Sequence, residues 1–131
     1  MSAPYILVVD DEPDIRALVQ EILEDESYEV FTAENGERAR QALRDRRPDL
    51  ILLDITMPEK SGVRFYREIK ENPELADIPV VIVTGVTGYG GRPEDFQKFI
   101  SSRKQVPPPN GFVAKPIDRD ELLEVVRSVL S

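Results

Sequence analysis

The chain has 131 residues, 40% of them hydrophobic and 32% charged, with a net charge of −8 at pH 7. That is one globular domain of ordinary size, and its acidity disfavours an unaided grip on nucleic acid while favouring cations and basic partner surfaces. There is no Cys and no His, which excludes disulfides, thiol chemistry and the commonest zinc and acid/base ligand.

The first element is Tyr5-Ile6-Leu7-Val8-Val9, a continuous apolar strand that runs into Asp10-Asp11-Glu12-Pro13. Pro13 suits the first turn of a helix, and acids just ahead of it suit the positive end of the helix dipole. Ile15, Leu18, Val19, Ile22 and Leu23 share one helical face, which predicts a helix over 13–25. Tyr28 to Ala33 is β-branched and aromatic, a second strand. Asn35-Gly36 breaks the chain, and Glu37 to Arg46 forms a polar helix with Ala39, Ala42 and Leu43 on its apolar side.

After Pro48-Asp49 comes the stretch that organises the rest, Leu50-Ile51-Leu52-Leu53-Asp54-Ile55-Thr56-Met57-Pro58. It reads as a buried strand ending in a carboxylate, with Pro58 forcing a turn close behind. Ser61-Gly62 starts a helix carrying Val63, Tyr66 and Ile69 on one face and ending before Pro73. Pro79 to Thr84 is another buried strand. A glycine-rich run, Gly85 to Gly91, precedes a segment from Pro93 to Lys104 able to form a helix, and Val106 to Gly111 is stiff and non-helical. Phe112-Val113-Ala114 is the last strand, ending at Lys115-Pro116. Asp118 caps a final helix with Leu122, Val126, Val129 and Leu130 on one face.

Strand and helix alternate through the chain, with no internal repeat and no linker long enough to divide it, so residues 1–131 form a single domain. The alternation implies an α/β fold, a doubly wound parallel sheet with helices on both faces. All strand C-termini then share one edge, where open α/β sheets bind their ligands. Asp10, Asp11, Glu12, Asp54, Thr84 and Lys115 collect there. Clustered carboxylates raise one another's pKa unless a cation joins them; Lys115 supplies one positive charge, and an all-oxygen donor set suits Mg²⁺ or Mn²⁺. Each residue also has a plainer role open to it. Asp10 and Glu12 can be helix-leading acids, Asp54 a turn residue, Thr84 a good strand residue, Phe112 core, and the Lys115–Asp54 pair structural.

Four short pieces together carry a family signature: Val9-Asp10-Asp11-Glu12-Pro13, Asp54-Ile55-Thr56-Met57-Pro58, Val83-Thr84-Gly85 and Ala114-Lys115-Pro116. On these, and along essentially its whole length, the chain resembles the receiver domain of two-component response regulators. The resemblance implies a (βα)5 flavodoxin-like sheet of order 2-1-3-4-5 and a cytoplasmic phosphoacceptor domain that is not an enzyme beyond self-catalysed phosphotransfer and slow autodephosphorylation. Asp54 would take the phosphoryl group from a phosphohistidine on a sensor histidine kinase or phosphotransfer protein. Asp11, Asp54 and the main-chain carbonyl of Thr56 would hold Mg²⁺, with Asp10 binding it through water. Lys115, aimed by a cis peptide before Pro116, would pair with Asp54 and then with the phosphoryl oxygens. Thr84 would bond a phosphoryl oxygen and free space for Phe112 to turn inward. The further partners implied are a downstream effector protein and, on phosphorylation, a second copy of the chain; nucleic acid and membrane are not among them.

The chain departs from the family pattern in several places. Thr56 and Val86 occupy positions that influence attack of water on the phosphoryl group, and Phe112 replaces a frequent Tyr. The interval from Thr84 to Lys115 is longer than the family's norm and rich in glycine and proline; the surface switched by phosphorylation is expected around this connection, the alternative being an insertion with no role. Two other classes are weighed and set aside. A haloacid-dehalogenase-type phosphatase needs an acid where Thr56 stands, and a nucleotide or flavin binder needs glycines or hydroxyls where Asp10-Asp11-Glu12 stands. A degenerate receiver that only binds partners fits poorly with the complete acidic set. No DNA-binding segment follows Ser131, which leaves a stand-alone regulator and a piece of a longer protein both open.

Overall fold

A computed structural model of the chain describes residues 3–57, 61–85 and 108–131, apart from the side chains of Ser61 and Thr84. The elements are β1 (Tyr5–Val9), α1 (Pro13–Asp25), β2 (Glu29–Ala33), α2 (Gly36–Asp45), β3 (Leu50–Asp54), α3 (Ser61–Glu71), β4 (Val80–Thr84), β5 (Gly111–Ala114) and α4 (Arg119–Leu130). The strands form one parallel sheet in the order β2-β1-β3-β4-β5, as expected. The expected helix between Pro93 and Lys104, the glycine-rich run beyond Gly85, and Val86 and Pro58 lie outside the described residues.

The unbroken apolar runs of β1 and β3 are explained by the two faces they serve. Alternate residues point opposite ways, so Leu7, Val9, Ile51 and Leu53 join α2 and α3 residues such as Ala39, Phe65 and Ile69 in one core. Ile6, Val8, Leu50 and Leu52 join Val19, Ile22 and Leu23 of α1 and Leu122, Leu123 and Val126 of α4 in the other. Burying each Leu or Ile contributes about 1.5–3 kcal/mol.

This split follows from handedness. From β1 the chain moves one way along the sheet to β2, then reverses across β1 to β3. Right-handed crossovers therefore place α1 on the face opposite α2 and α3. The reversal point lies between the adjacent C-termini of β1 and β3, the ends that carry Asp10 and Asp54.

Local signals terminate the helices much as expected. Asn35 Oδ1 accepts from the Arg38 N–H at 2.9 Å and caps α2, so Gly36 opens the helix rather than preceding it. Asp118 caps α4 by accepting from the Glu121 N–H at 3.3 Å. Two expectations are corrected. Leu18 is 40% exposed rather than packed with Ile22 and Leu23, because its side chain falls at the edge of the apolar stripe. Tyr28 precedes β2, in a turn where its N–H bonds the Leu23 carbonyl at 3.1 Å and Ser27 takes φ = 68°.

At the amino-terminal end of β5, Asn110 immediately precedes the strand. Its N–H donates to the Val80 carbonyl at 2.8 Å and its Oδ1 accepts from the Val80 N–H at 3.0 Å. This pair of bonds sets the β4–β5 register, in which Gly111 lies opposite Val81.

Candidate functional site at the carboxyl edge of the sheet

Three strand ends build the site. Asp10 follows β1 directly, and its N–H continues the ladder by donating to the Ala33 carbonyl at 3.1 Å. Asp54 is the last residue of β3 and Lys115 the first after β5. Asp10 and Asp54 are 2% and 1% exposed, and they are the buried charged groups among the described residues. Burying carboxylates in this way is strongly unfavourable unless they are paired.

Lys115 supplies the pairing. Its Nζ lies 3.2 Å from Asp10 Oδ2, 3.3 Å from Asp54 Oδ2 and 2.9 Å from Glu12 Oε1. The Lys115-Pro116 peptide is cis, as the resemblance implied. Burial opposes the charge on Lys115, but Glu12, Asp54 and Asp10 outweigh it and hold the ammonium pKa above its ordinary value. It remains a cation throughout the physiological range. Asp10 is the converse case. Burial, with Asp54 adding to it, pushes its carboxyl up to about 6 against the pull of the Glu12 N–H and Lys115.

Asp54 is held on both oxygens. Oδ1 accepts from the Thr56 N–H at 2.8 Å and from the Thr56 hydroxyl at 2.6 Å, while Oδ2 faces Lys115. Thr56 thus orients the carboxylate through its N–H and hydroxyl, a contact that spacing alone did not reveal. The backbone around Asp54 is fixed in turn by the Ile55 N–H donating to the Val83 carbonyl at 3.2 Å.

The four acids expected at this edge do meet. One carboxylate oxygen from each of Asp10, Asp11, Glu12 and Asp54 lies within 4.8 Å of the others. Asp11 and Glu12 are exposed at the mouth and Asp10 and Asp54 form the floor. Such a donor set, all oxygen and partly open to water, fits a hard divalent cation that keeps several waters. Glu12, for which the plainer role of a helix-leading acid was open, stands at the mouth and is tied to the site through Lys115. Arg16 is a group the sequence reading missed: it donates from Nη1 to the Asp10 carbonyl at 2.8 Å. No spacing in the sequence signals it, because the guanidinium reaches back six residues to a main-chain carbonyl. Thr84 ends β4 with its Cα opposite Ala114, and its side chain lies outside what is described. Phe112 is half-buried, opposite Ile82 and packed on the α2/α3 core.

A cleft of about 470 Å³ opens between α2 and α3, where Leu43, Phe65 and Leu75 share the lining with Arg40, Arg44 and Glu68, away from the acids. No helix among the described residues is long and apolar enough to cross a membrane.

Comparison with known proteins gives the same answer from every side. The family described as the response regulator receiver domain matches residues 6–127. The chain is 38% identical to the response regulator PleD of Caulobacter vibrioides, with 98% of this chain aligned to 26% of that one. It is 34% identical to the response regulator Rre1 of Synechocystis, over 100% of this chain and 54% of the relative. The chain thus spans about half the length of that relative, whereas it covers 97% of the protein PilH of Pseudomonas aeruginosa, at 31% identity. Among solved structures, the receiver domain of NtrX from Brucella abortus superposes with a TM-score of 0.77 at 35% identity, covering 95% of this chain and 97% of that one. The signal receiver domain of a histidine kinase from Syntrophus aciditrophicus gives 0.80 at 31% identity, over 98% and 90% of the two chains.

Proposed function

The chain belongs to the response regulator receiver domain family, the signalling module of two-component systems, and from that premise we propose that it accepts a phosphoryl group on Asp54 from a phosphohistidine. The donor is a sensor histidine kinase or a phosphotransfer protein. The observation that carries this reading is the state of Asp54: 1% exposed, at the end of the central strand, tied by Thr56 on one oxygen and facing Lys115 on the other.

Transfer forms a bond between an Asp54 carboxylate oxygen and phosphorus and breaks the bond from phosphorus to the donor imidazole nitrogen, which keeps the electron pair. Both partners are anionic, so the difficulty is charge and alignment rather than covalent chemistry. Thr56 limits rotation of the carboxylate and so fixes the line of attack. Lys115, already charged and within reach, shifts from the carboxylate oxygens to those of the incoming group. Asp11, Asp54 and the Thr56 carbonyl would hold Mg²⁺, with Asp10 acting through water, and Mn²⁺ would serve in its place. When bound, that ion offsets the repulsion between carboxylate and phosphoryl oxygens. Thr84 contributes a hydroxyl to the phosphoryl group, and Phe112 turns inward behind it. Through that movement the connection from Thr84 to Lys115 is read by a downstream effector protein or a second copy of the chain.

The test is incubation with acetyl phosphate and Mg²⁺, followed by the mass of the intact protein. One added phosphoryl group that disappears when EDTA replaces Mg²⁺ is expected. Continuous release of phosphate from many phosphate esters, without a modified protein, would instead indicate a phosphatase.

A further inference from the structure

The three acids at the end of β1 sit on a turn with no regular structure of its own, yet their carboxylates must point at Asp54. Arg16, half-buried one turn into α1, bonds this turn at two points. Its guanidinium donates to the Asp10 carbonyl at 2.8 Å, and its backbone N–H donates to the Glu12 carbonyl at 3.0 Å. A third bond crosses between them, from the Glu12 N–H to Asp10 Oδ1 at 2.9 Å. The result is a closed ring of contacts that ties the turn to the helix behind it, with Asp11 at its apex.

We propose that Arg16 is a positioning residue for the metal-binding turn, holding Asp10 and Asp11 in the geometry that a cation requires before the cation arrives. The proposal rests on reading the acids as a Mg²⁺ site. Its physical content is that a ligand group fixed in advance loses less freedom on binding. Outer contacts that orient ligands commonly change metal affinity about 10–100-fold when removed. Arg16 also carries positive charge near the acids, and charge alone works in the other direction: deleting a neighbouring cation tightens the binding of another cation. The two effects have opposite signs, so a single substitution separates them.

The experiment is calorimetric titration of Mg²⁺ into the full chain as wild type, Arg16→Met, Arg16→Lys and Asp11→Ala, with metal-free melting temperatures alongside. Arg16→Met is expected to weaken Mg²⁺ roughly tenfold while the metal-free melting temperature stays within a few degrees of wild type. Arg16→Lys, which retains one donor for the Asp10 carbonyl, recovers most of the affinity. If Arg16→Met fails to fold, Arg16→Gln is measured in its place; its shorter side chain is expected to weaken binding similarly. Unchanged or tighter Mg²⁺ binding by these variants, where Asp11→Ala abolishes it, overturns the role of Arg16 alone. No Mg²⁺ binding by the wild type overturns the site reading and this proposal with it.

Discussion

A methyl group on Gly62 would stand 2.3 Å from the main-chain carbonyl oxygen of Asp54 and 2.6 Å from the Cα of Ile55. The first turn of α3 is therefore pressed directly against the strand end that bears Asp54, the proposed nucleophile, at a distance only glycine permits. Gly62→Ala should force α3 away from β3, lower stability by about 1–3 kcal/mol and slow phosphoryl uptake. Denaturant unfolding and phosphorylation rates check this. Wild-type values for both would mean that the contact is not maintained in solution.

Asp10 makes metal-free stability depend on pH. Its folded pKa, about 6, lies above the ordinary 3.8, so between these values the folded state holds a proton that the unfolded state has released. Stability from this group is present below pH 3.8 and is lost as pH rises through about 6. Asp10→Asn should flatten the fall in melting temperature between about pH 4 and 6, leaving the variant more stable than wild type above that window by about 1–3 kcal/mol. An identical pH profile in the two proteins would contradict the assignment.

Most of the fold was legible because the apolar runs, the prolines and the caps all agree. Leu50 to Leu53, bounded by Pro48 and Pro58, read as a strand covered on both faces, and Asp118 ahead of a periodic apolar face read as a helix cap. The site was legible to the extent that strand ends share an edge, which gathers Asp10, Asp54 and Lys115. What escaped were contacts made by backbone atoms or by side chains crossing between elements. Nothing in Ser61-Gly62 distinguishes a helix start from a helix start jammed against Asp54. Periodicity places Arg16 on α1 without revealing that its guanidinium turns back to the Asp10 carbonyl. Glu12 was read as a dipole acid because its reach to Lys115 depends on how β1 and β5 lie in space.

Lys70 closes the turn between α3 and β4. Its Nζ donates to the Ala76 and Ile78 carbonyls, each at 3.1 Å, and lies 5.9 Å from the centre of the Tyr66 ring. Burial pulls its pKa below the ordinary lysine value, with Asp77 opposing. Lys70→Met keeps the apolar stem and removes the donors, leaving two carbonyls to find water. A loss of about 1–3 kcal/mol is expected, measured by denaturant unfolding. A change below about 0.5 kcal/mol, the range of ordinary surface substitutions, would show that solvent replaces both bonds.

Ser27 holds φ = 68° just past the end of α1, a conformation that disfavours a side chain and suits glycine at this helix position. Ser27→Gly should stabilise the domain by about 0.5–1 kcal/mol without altering phosphorylation. A destabilised variant would mean that the serine side chain contributes more than its backbone strain removes.

The central claim is that Asp54 is the phosphoryl acceptor. The most direct measurement is reduction of the phosphorylated protein with borohydride, which converts an aspartyl phosphate to homoserine, followed by peptide mapping. The account predicts homoserine at position 54 and no conversion in Asp54→Asn. Conversion at Asp10 or Asp11, or undiminished labelling of Asp54→Asn, would contradict it.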